Sequence, residues 1–394
     1  MRCGIDTVPI ERVEKLVADH GRAGLAAFFS ERELDDAGEN LKAETLAGRF
    51  AAKEACAKLF PREIGLGAIE PVDFAITRDG YGAPEVAASE RAEAVMNRHR
   101  IEEIRVSITH SGDTATAIAT AAPVGLSSPW YGKLIYRLAP LRRSVVLENM
   151  SRVFGKVWTK SEIRTLAERY YAHFGLFFVE FFKLAFTSSR GKAAMIRIDG
   201  GEVLTEALEA GRGVLLLTGH FGNWEVSTVA GIAGFEELKG RFHFIRKPLK
   251  PAWFNSLVLR RFHRAGFGTI EKADSLDEIL DLLDKNHVVV ATFDQFAIKE
   301  DGTPSEFFGH PAHTFRSLAV LARVTQSPVV PASSWREPDG KHVLRFEKPL
   351  EIVSEGPTRK IVKENTRRFN QALERIILRH PEQWIWMHKR WKKV

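Results

Sequence analysis

Cysteine is nearly absent from the 394-residue chain: Cys3 and Cys56 cannot build a disulfide framework, and no C-x-x-C pair suggests zinc or a redox dithiol. Long apolar runs are missing too. A membrane span needs about 18 or more apolar residues, and the richest stretch, Tyr170 to Phe186, is interrupted by His173, Glu180 and Lys183. The opening MRCGIDTVPIERVEK carries Asp6, Glu11 and Glu14 where a secretory signal would be apolar, so none is expected. No internal repeat, Walker-type G-x-x-x-x-G-K-[ST] or G-x-G-x-x-G loop occurs, which weighs against ATP hydrolysis and Rossmann cofactor use. Together these absences predict a soluble, reduced, cytosolic protein.

The composition is that of a globular protein: 44% hydrophobic and 27% charged residues supply a sizeable core. At about 150 residues per domain the length predicts two or three domains. The formal charge of +7 is unevenly spread. Between Leu126 and Tyr170 nine basic residues face three acidic ones, and a localised basic face usually meets phosphates or an acidic partner. No recognised nucleic-acid motif accompanies it, so no nucleic-acid partner is expected. A break is expected at 122–129, where small residues with Pro, Gly and Ser suit a linker. It separates a domain at 1–121 from one at 130–394.

The first domain reads as α+β. Cys3 to Val8, Val72 to Thr77 and Ile104 to Thr109 are strand candidates, Leu46 to Phe60 is a helix, and Asp79-Gly80 is turn chemistry. Ser30-x-x-Glu33 has the form of a capping box. The larger second domain alternates helix and strand and reads as α/β layered. Val214 to Leu217 and Val288 to Ala291 are continuous apolar runs, as in strands buried on both faces. Thr159-x-x-Glu162 and Ser275-x-x-Glu278 are further capping boxes, Phe174, Phe177, Phe178 and Phe181 line one helix face, and Thr358 to His380 is a last helix.

In the first domain Asp6 ends a strand and Glu54 sits in a helix. Such a carboxylate pair could hold magnesium against substrate phosphates, with Lys53, Lys58 and His110 available to phosphate oxygens. Read singly these residues are ordinary; Glu54 and Lys58 also make an i,i+4 surface pair. Their order changes that. Gly4-Ile5-Asp6-Thr7-Val8 with Arg12, then Leu46 to Ala55 (LAGRFAAKEA), then Asp79-Gly80 to Pro84, then Ser107-Ile108-Thr109-His110-Ser111, resembles holo-acyl-carrier-protein synthase over residues 1 to about 121. The resemblance implies a 4′-phosphopantetheinyl transferase acting between coenzyme A and a carrier-protein serine. Asp6 and Glu54 would bind magnesium, Glu54 also serving in catalysis. Lys53, Lys58, His110 and Ser111 would bind coenzyme A, Arg12 would meet the acidic carrier, and a homotrimer is the expected assembly. The stretch Leu59 to Gly67 is longer than the family's Gly-rich turn.

In the second domain Gly219-His220-Phe221-Gly222-Asn223-Trp224-Glu225 follows a buried strand. A carboxylate five residues beyond a histidine could orient it as a base, provided the chain bends between them, because i and i+5 diverge by about 140° on a helix. The bare spacing recurs by chance among 13 histidines and 50 acids, at His342 and Glu347, where an alternating run predicts an exposed strand. With Arg246-Lys247-Pro248-Leu249-Lys250, Phe293-Asp294-Gln295, Phe307 to Ala312 and the Trp-rich Pro381 to Trp391, the His220 string resembles the late lipid A acyltransferases. That resemblance implies transfer of an acyl chain from acyl-carrier protein to a lipid hydroxyl, with His220 as base, Glu225 as its orienting partner, Arg246 at the thioester oxyanion and Asp294 positioning a substrate group. Members usually begin with a membrane span. Here Trp130 to Leu141 is short, amphipathic and basic, which suits the membrane surface. A bifunctional transferase, peripheral to the cytoplasmic face of the inner membrane, is therefore expected. The alternative is an acyltransferase whose first domain only docks the carrier protein.

Overall fold

A computed structural model describes residues 2–65, 69–123, 125–139, 141–232, 235–247, 250–271 and 275–392. Leu66 and Gly67 of the lengthened turn, Val124 of the expected linker, and Pro248-Leu249 lie outside the described residues. The chain divides into two compact units, Met1–Leu126 and Ser127–Val394.

The first unit is α+β. Its strands are β1 (Arg2–Pro9), β2 (Phe74–Arg78), β3 (Pro84–Ala88), β4 (Ile101–Ser111) and β5 (Thr114–Pro123), in the order β1-β5-β4-β3-β2. Neighbours pair antiparallel, and alternation along β5 sends Ala115, Ala117, Ala119 and Ala121 into the core. The Ala-rich helix Ala43–Ala57 lies on that face, because only small side chains let helix and sheet approach so closely. Gly4 marks the closest approach: a Cβ there would lie 2.1 Å from the Ala55 carbonyl oxygen.

Ser30 and Glu33 form the expected capping box, and Glu33 does more than cap. Its fully buried carboxylate accepts from the Ile76 amide and from Lys53 Nζ at 2.8 Å. Lys53 also donates to the Phe74 and Pro71 carbonyl oxygens. Lys53 is therefore not available to phosphate, contrary to the sequence expectation; it is a buried cross-link, its pKa lowered by burial against the pull of Glu33.

The second unit is α/β. Strands β6 (Ile196–Asp199), β7 (Val214–Thr218), β8 (Phe242–Arg246), β9 (Phe267–Glu271), β10 (Val288–Thr292), β13 (Val329–Arg336) and β14 (His342–Phe346) form one sheet, ordered β6-β14-β13-β7-β10-β8-β9. All neighbours are parallel except β13 and β14. A separate hairpin joins β11 (Gly302–Phe307) to β12 (His310–Phe315). As their apolar runs predict, β7 and β10 are buried over most of their length. Three expectations differ. Ser275 sits at the N-cap of Leu276–Asp284 but makes no side-chain capping bond. Strand β14 is largely buried, and His342 is fully so. Of the aromatic residues on helix Lys160–Phe186, Phe177 and Phe181 are buried while Phe178 is exposed.

Removing one partner of a buried ion pair typically costs about 3–5 kcal/mol. Lys53→Ala is expected to lower the unfolding free energy of the first unit by about that much, read by urea denaturation of the full chain followed with probes in each unit. An unchanged midpoint for the first unit would remove the structural role.

Candidate functional site

In the first unit the contact at Gly4 fixes the position of Asp6, two residues further along β1. Lys58, at the end of the Ala43–Ala57 helix, donates to the Asp6 carboxylate at 2.7 Å and to the Ile5 carbonyl oxygen at 2.9 Å. Glu54 stands one turn earlier. Burial and then the negative charge of Asp6 raise its pKa, against the opposing pull of Lys58 and Arg12. The guanidinium of Arg12 lies 5.6 Å from the centre of the Phe50 ring. On β4, His110 Nε2 lies 3.0 Å from the Glu44 carbonyl oxygen, and Gly48 leaves it room: a Cβ there would come within 2.9 Å of that ring nitrogen. Ser111 is exposed at the end of the same strand. Asp6, Glu54, Lys58 and Arg12 thus gather as expected, and Lys53 does not. Among the described residues no group of three or more His, Cys, Asp or Glu side chains gathers as a ready-made metal site.

In the second unit register decides the geometry. Thr218 of β7 pairs with Thr292 of β10, so the residues two positions on, His220 and Asp294, emerge side by side at adjacent strand ends. His220 Nδ1 lies 3.0 Å from Asp294 Oδ1, and the His220 amide donates to Oδ2 at 2.8 Å. Trp384 Nε1 donates to the same Oδ2 at 2.9 Å, and the Trp224 ring stands edge-on to the imidazole. Asp294 is 1% exposed and the His220 side chain 23%. Burial pulls the His220 pKa down, but the charge and hydrogen bond of Asp294 outweigh it and the net shift is upward. Burial pushes the Asp294 pKa up; the imidazole and the donors around it reverse this, leaving it at about 2.

The expected pairing of His220 with Glu225 is not formed. Helix Trp224–Gly231 carries Glu225 away from Nδ1 after the turn at Gly222-Asn223, so the carboxylate that orients His220 comes from β10. Glu225 is buried, its Oε2 has no hydrogen-bond partner, and burial raises its pKa to about 7 against the pull of Arg261 and Arg246. Arg246, at the end of β8, donates through Nη2 to Asn255 Oδ1 at 2.6 Å, while its buried Nη1 is unpartnered. The second match to the spacing is no pair: Glu347 is bonded to Arg379, and His342 Nε2 lies 3.3 Å from Glu180.

His220, Glu225 and Arg246 line a cavity of about 510 Å³ that runs back along the strands among Leu216, Phe242, Phe262, Phe267, Val290 and Phe346. A mostly apolar pocket lined by a few polar groups suits a ligand with a hydrocarbon chain and a polar terminus. The sequence did not reveal Trp384 as a donor to Asp294, although its Trp-rich string stood out.

Two families match this chain. Bacterial lipid A biosynthesis acyltransferase matches residues 128–393, and the 4′-phosphopantetheinyl transferase superfamily matches residues 2–119. A holo-[acyl-carrier-protein] synthase of Wolinella succinogenes is 40% identical over 30% of this chain and 93% of its own length. One of Sulfurovum sp. is 38% identical over 30% of this chain and 94% of its own length. A crystal structure of Helicobacter pylori holo-[acyl-carrier-protein] synthase in complex with coenzyme A is 28% identical, covers 30% of this chain and 99% of that one, and has a TM-score of 0.26.

With Asp294 present the His220 imidazole should titrate above the ordinary value of about 6.5. In Asp294→Asn burial alone acts, favouring the neutral ring, and the titration should fall below it. Histidine ring proton shifts followed by NMR check this; a midpoint that does not move would remove Asp294 as the controlling charge.

Proposed function

From a chain that belongs to both the bacterial lipid A biosynthesis acyltransferase family and the 4′-phosphopantetheinyl transferase superfamily, and is a bifunctional transferase, we infer two reactions that share a carrier protein. The first unit moves 4′-phosphopantetheine from coenzyme A to a carrier-protein serine. The second passes an acyl chain from an acyl-carrier protein to a lipid hydroxyl, lipid A-like or a specialised acceptor. The observation that carries the second reading is a histidine–carboxylate pair opening onto a largely apolar cavity.

For acyl transfer the apolar cavity takes the hydrocarbon chain and leaves the thioester carbonyl beside His220 and Arg246. His220 Nε2 accepts the proton as the lipid oxygen attacks, and Asp294 holds the ring through Nδ1–H and stabilises the imidazolium. The unpartnered Nη1 of Arg246 is free to meet the developing oxyanion. When the carbon–sulfur bond breaks, the imidazolium returns its proton to the phosphopantetheine thiolate. Glu225 lines the same wall as a carboxyl near its midpoint at neutral pH. Because the base form of His220 exists above a raised pKa, the acid limb of the rate profile lies above pH 6.5.

For phosphopantetheine transfer, Asp6 and Glu54 are oxygen donors close enough for one charge to raise the other's pKa, which fits a hard divalent cation. Magnesium keeps several ligands from water and substrate phosphates, so two carboxylates suffice; bound there, it would neutralise charge on the pyrophosphate. Glu54, beside the metal and the reacting phosphate, takes the serine proton; Lys58, His110 and Ser111 face the coenzyme A phosphates, and Arg12 meets the acidic carrier. On the sheet's outer face Ile5 and Ile118 pair in register and stand 55% and 41% exposed, an apolar pair available to a second copy in the proposed homotrimer.

The acceptor lipid is reached at a membrane surface, on the cytoplasmic face of the inner membrane. No helix is long and apolar enough to cross a membrane among the described residues. Helix Trp130–Leu138 exposes Trp130, Leu134 and Leu138, and helix Lys160–Phe186 exposes Phe178, Phe182 and Phe186. With Lys133, Arg137 and Lys183 beside them, these side chains suit an anionic interface.

Two outcomes are expected. Glu54→Ala should abolish labelling of an apo-carrier protein by coenzyme A and leave acyl transfer intact, whereas His220→Ala should do the reverse, lowering acyl transfer by ~10²–10⁴-fold. Labelling that survives Glu54→Ala, or full acyl transfer by His220→Ala, would sink the corresponding half. Vesicles containing anionic lipid should bind the protein, more weakly as salt rises. Equal binding to neutral vesicles at every salt concentration would remove the basic face from the contact.

A further inference from the structure

The turn that delivers His220 is held by several groups remote in sequence. The His220 carbonyl oxygen accepts from the Ile385 amide, and the Phe221 carbonyl oxygen from Ser334 Oγ. The Gly222 amide donates to the Gln383 carbonyl oxygen, and the Gly222 carbonyl oxygen lies 3.1 Å from His173 Nε2. Gly222 has φ +53°, and a Cβ there would lie 2.5 Å from the Ser334 carbonyl oxygen, so only glycine suits this position of the turn. Asn223 caps the following helix through its side-chain oxygen and donates its Nδ2 to Glu180 Oε2 at 2.8 Å.

Behind these contacts stands one ion pair. Arg336, in β13, binds both oxygens of Glu180, Nε to Oε1 at 2.7 Å and Nη2 to Oε2 at 2.6 Å. Its Nη1 lies 3.1 Å from His173 Nδ1, and its backbone amide and carbonyl group bond the Gln383 side chain. The histidine's tautomer follows. Burial first and Arg336 second hold the His173 pKa down at about 4, so the ring is neutral, accepts at Nδ1 and donates at Nε2 to Gly222. Burial would raise the pKa of Glu180, but the neighbouring His342 and the bonds from Arg336 and Asn223 hold it at about 2. Helix Lys160–Phe186 thereby reaches the catalytic turn by two routes, Glu180 to Asn223 and His173 to Gly222.

We infer that Glu180 and Arg336 are positioning residues for His220: their ion pair, acting through Asn223 and His173, sets the turn that aims the imidazole at Asp294 and the cavity. This rests on the acyl-transfer reading. A misplacement of about 1 Å at a reacting group can cost ~10²-fold in rate, whereas a buried ion pair replaced by apolar residues of similar volume often leaves stability unchanged. Positioning and support can therefore be separated. His342, packed against Glu180, belongs to the same cluster, so its removal is expected to perturb the turn.

The test compares the wild-type full chain with Glu180→Met/Arg336→Met and with Glu180→Gln, which keeps an acceptor for Asn223. The readouts are the thermal midpoint, kcat and KM for an acyl-carrier protein, and the downfield NMR signal of the His220 Nδ1 proton, assigned by its loss in His220→Gln. The double variant should keep a near-native midpoint and lose ~10–10²-fold in kcat with little change in KM, and its Nδ1 proton signal should shift or broaden. Glu180→Gln should fall between it and the wild type. If the double variant does not fold, Glu180→Gln decides by the same signal. A folded variant with wild-type kcat and an unmoved signal would overturn the proposal. Wild-type protein without acyl transfer would instead fault the functional reading, and the proton signal would still report whether the pair sets the imidazole.

Discussion

The carboxylate of Asp294 has to be charged and dry at once, and much of the second unit follows from how that is met. A buried carboxylate without partners would take up a proton. Three donors prevent this here: the His220 amide, the His220 ring and the Trp384 indole. Each comes from a different constraint. The amide is placed by parallel register between β7 and β10, the ring by the turn at Gly222, and the indole by the segment following helix Thr358–Arg379. The histidine and its acid therefore stand at the carboxyl ends of neighbouring parallel strands, with the order of the sheet set by the connections around them.

The first unit reaches its geometry by a steric route. Helix Ala43–Ala57 and β1 approach until only a glycine fits at position 4, and that closeness brings Asp6 to Lys58 and Glu54. The charge cluster is a consequence of small side chains beneath it. The buried Glu33–Lys53 pair ties the same helix to β2 and the short helix Glu31–Asp36, so the Asp6 and Glu54 carboxylates sit on a braced support.

What the sequence disclosed and what it hid follow the same division. Strands with continuous apolar runs, the boxes at Ser30 and Thr159, and the gathering of Asp6, Glu54 and Lys58 were legible because each is set within a few residues or by a family's motif order. The partner of His220 was not: local spacing points to Glu225, and only strand register, across 74 residues, selects Asp294. Lys53 misled for a related reason, since Glu33, seen as a cap, gave no sign of its second bond. Glu180 looked like an interruption in an apolar helix. A charge placed there is intelligible only once Arg336 arrives from β13, 156 residues later.

The indole bond to Asp294 also has a bearing on the order in which the chain is made. Trp384 lies 90 residues beyond the carboxylate it serves, and the segment around it also closes the backbone of the turn that carries His220. During synthesis the first unit has its whole sheet, from β1 to β5, long before that segment leaves the ribosome. One catalyst is thus able to mature while the other is still short of a donor. A nascent chain would pass through a stage in which carrier modification precedes any capacity to spend an acyl group.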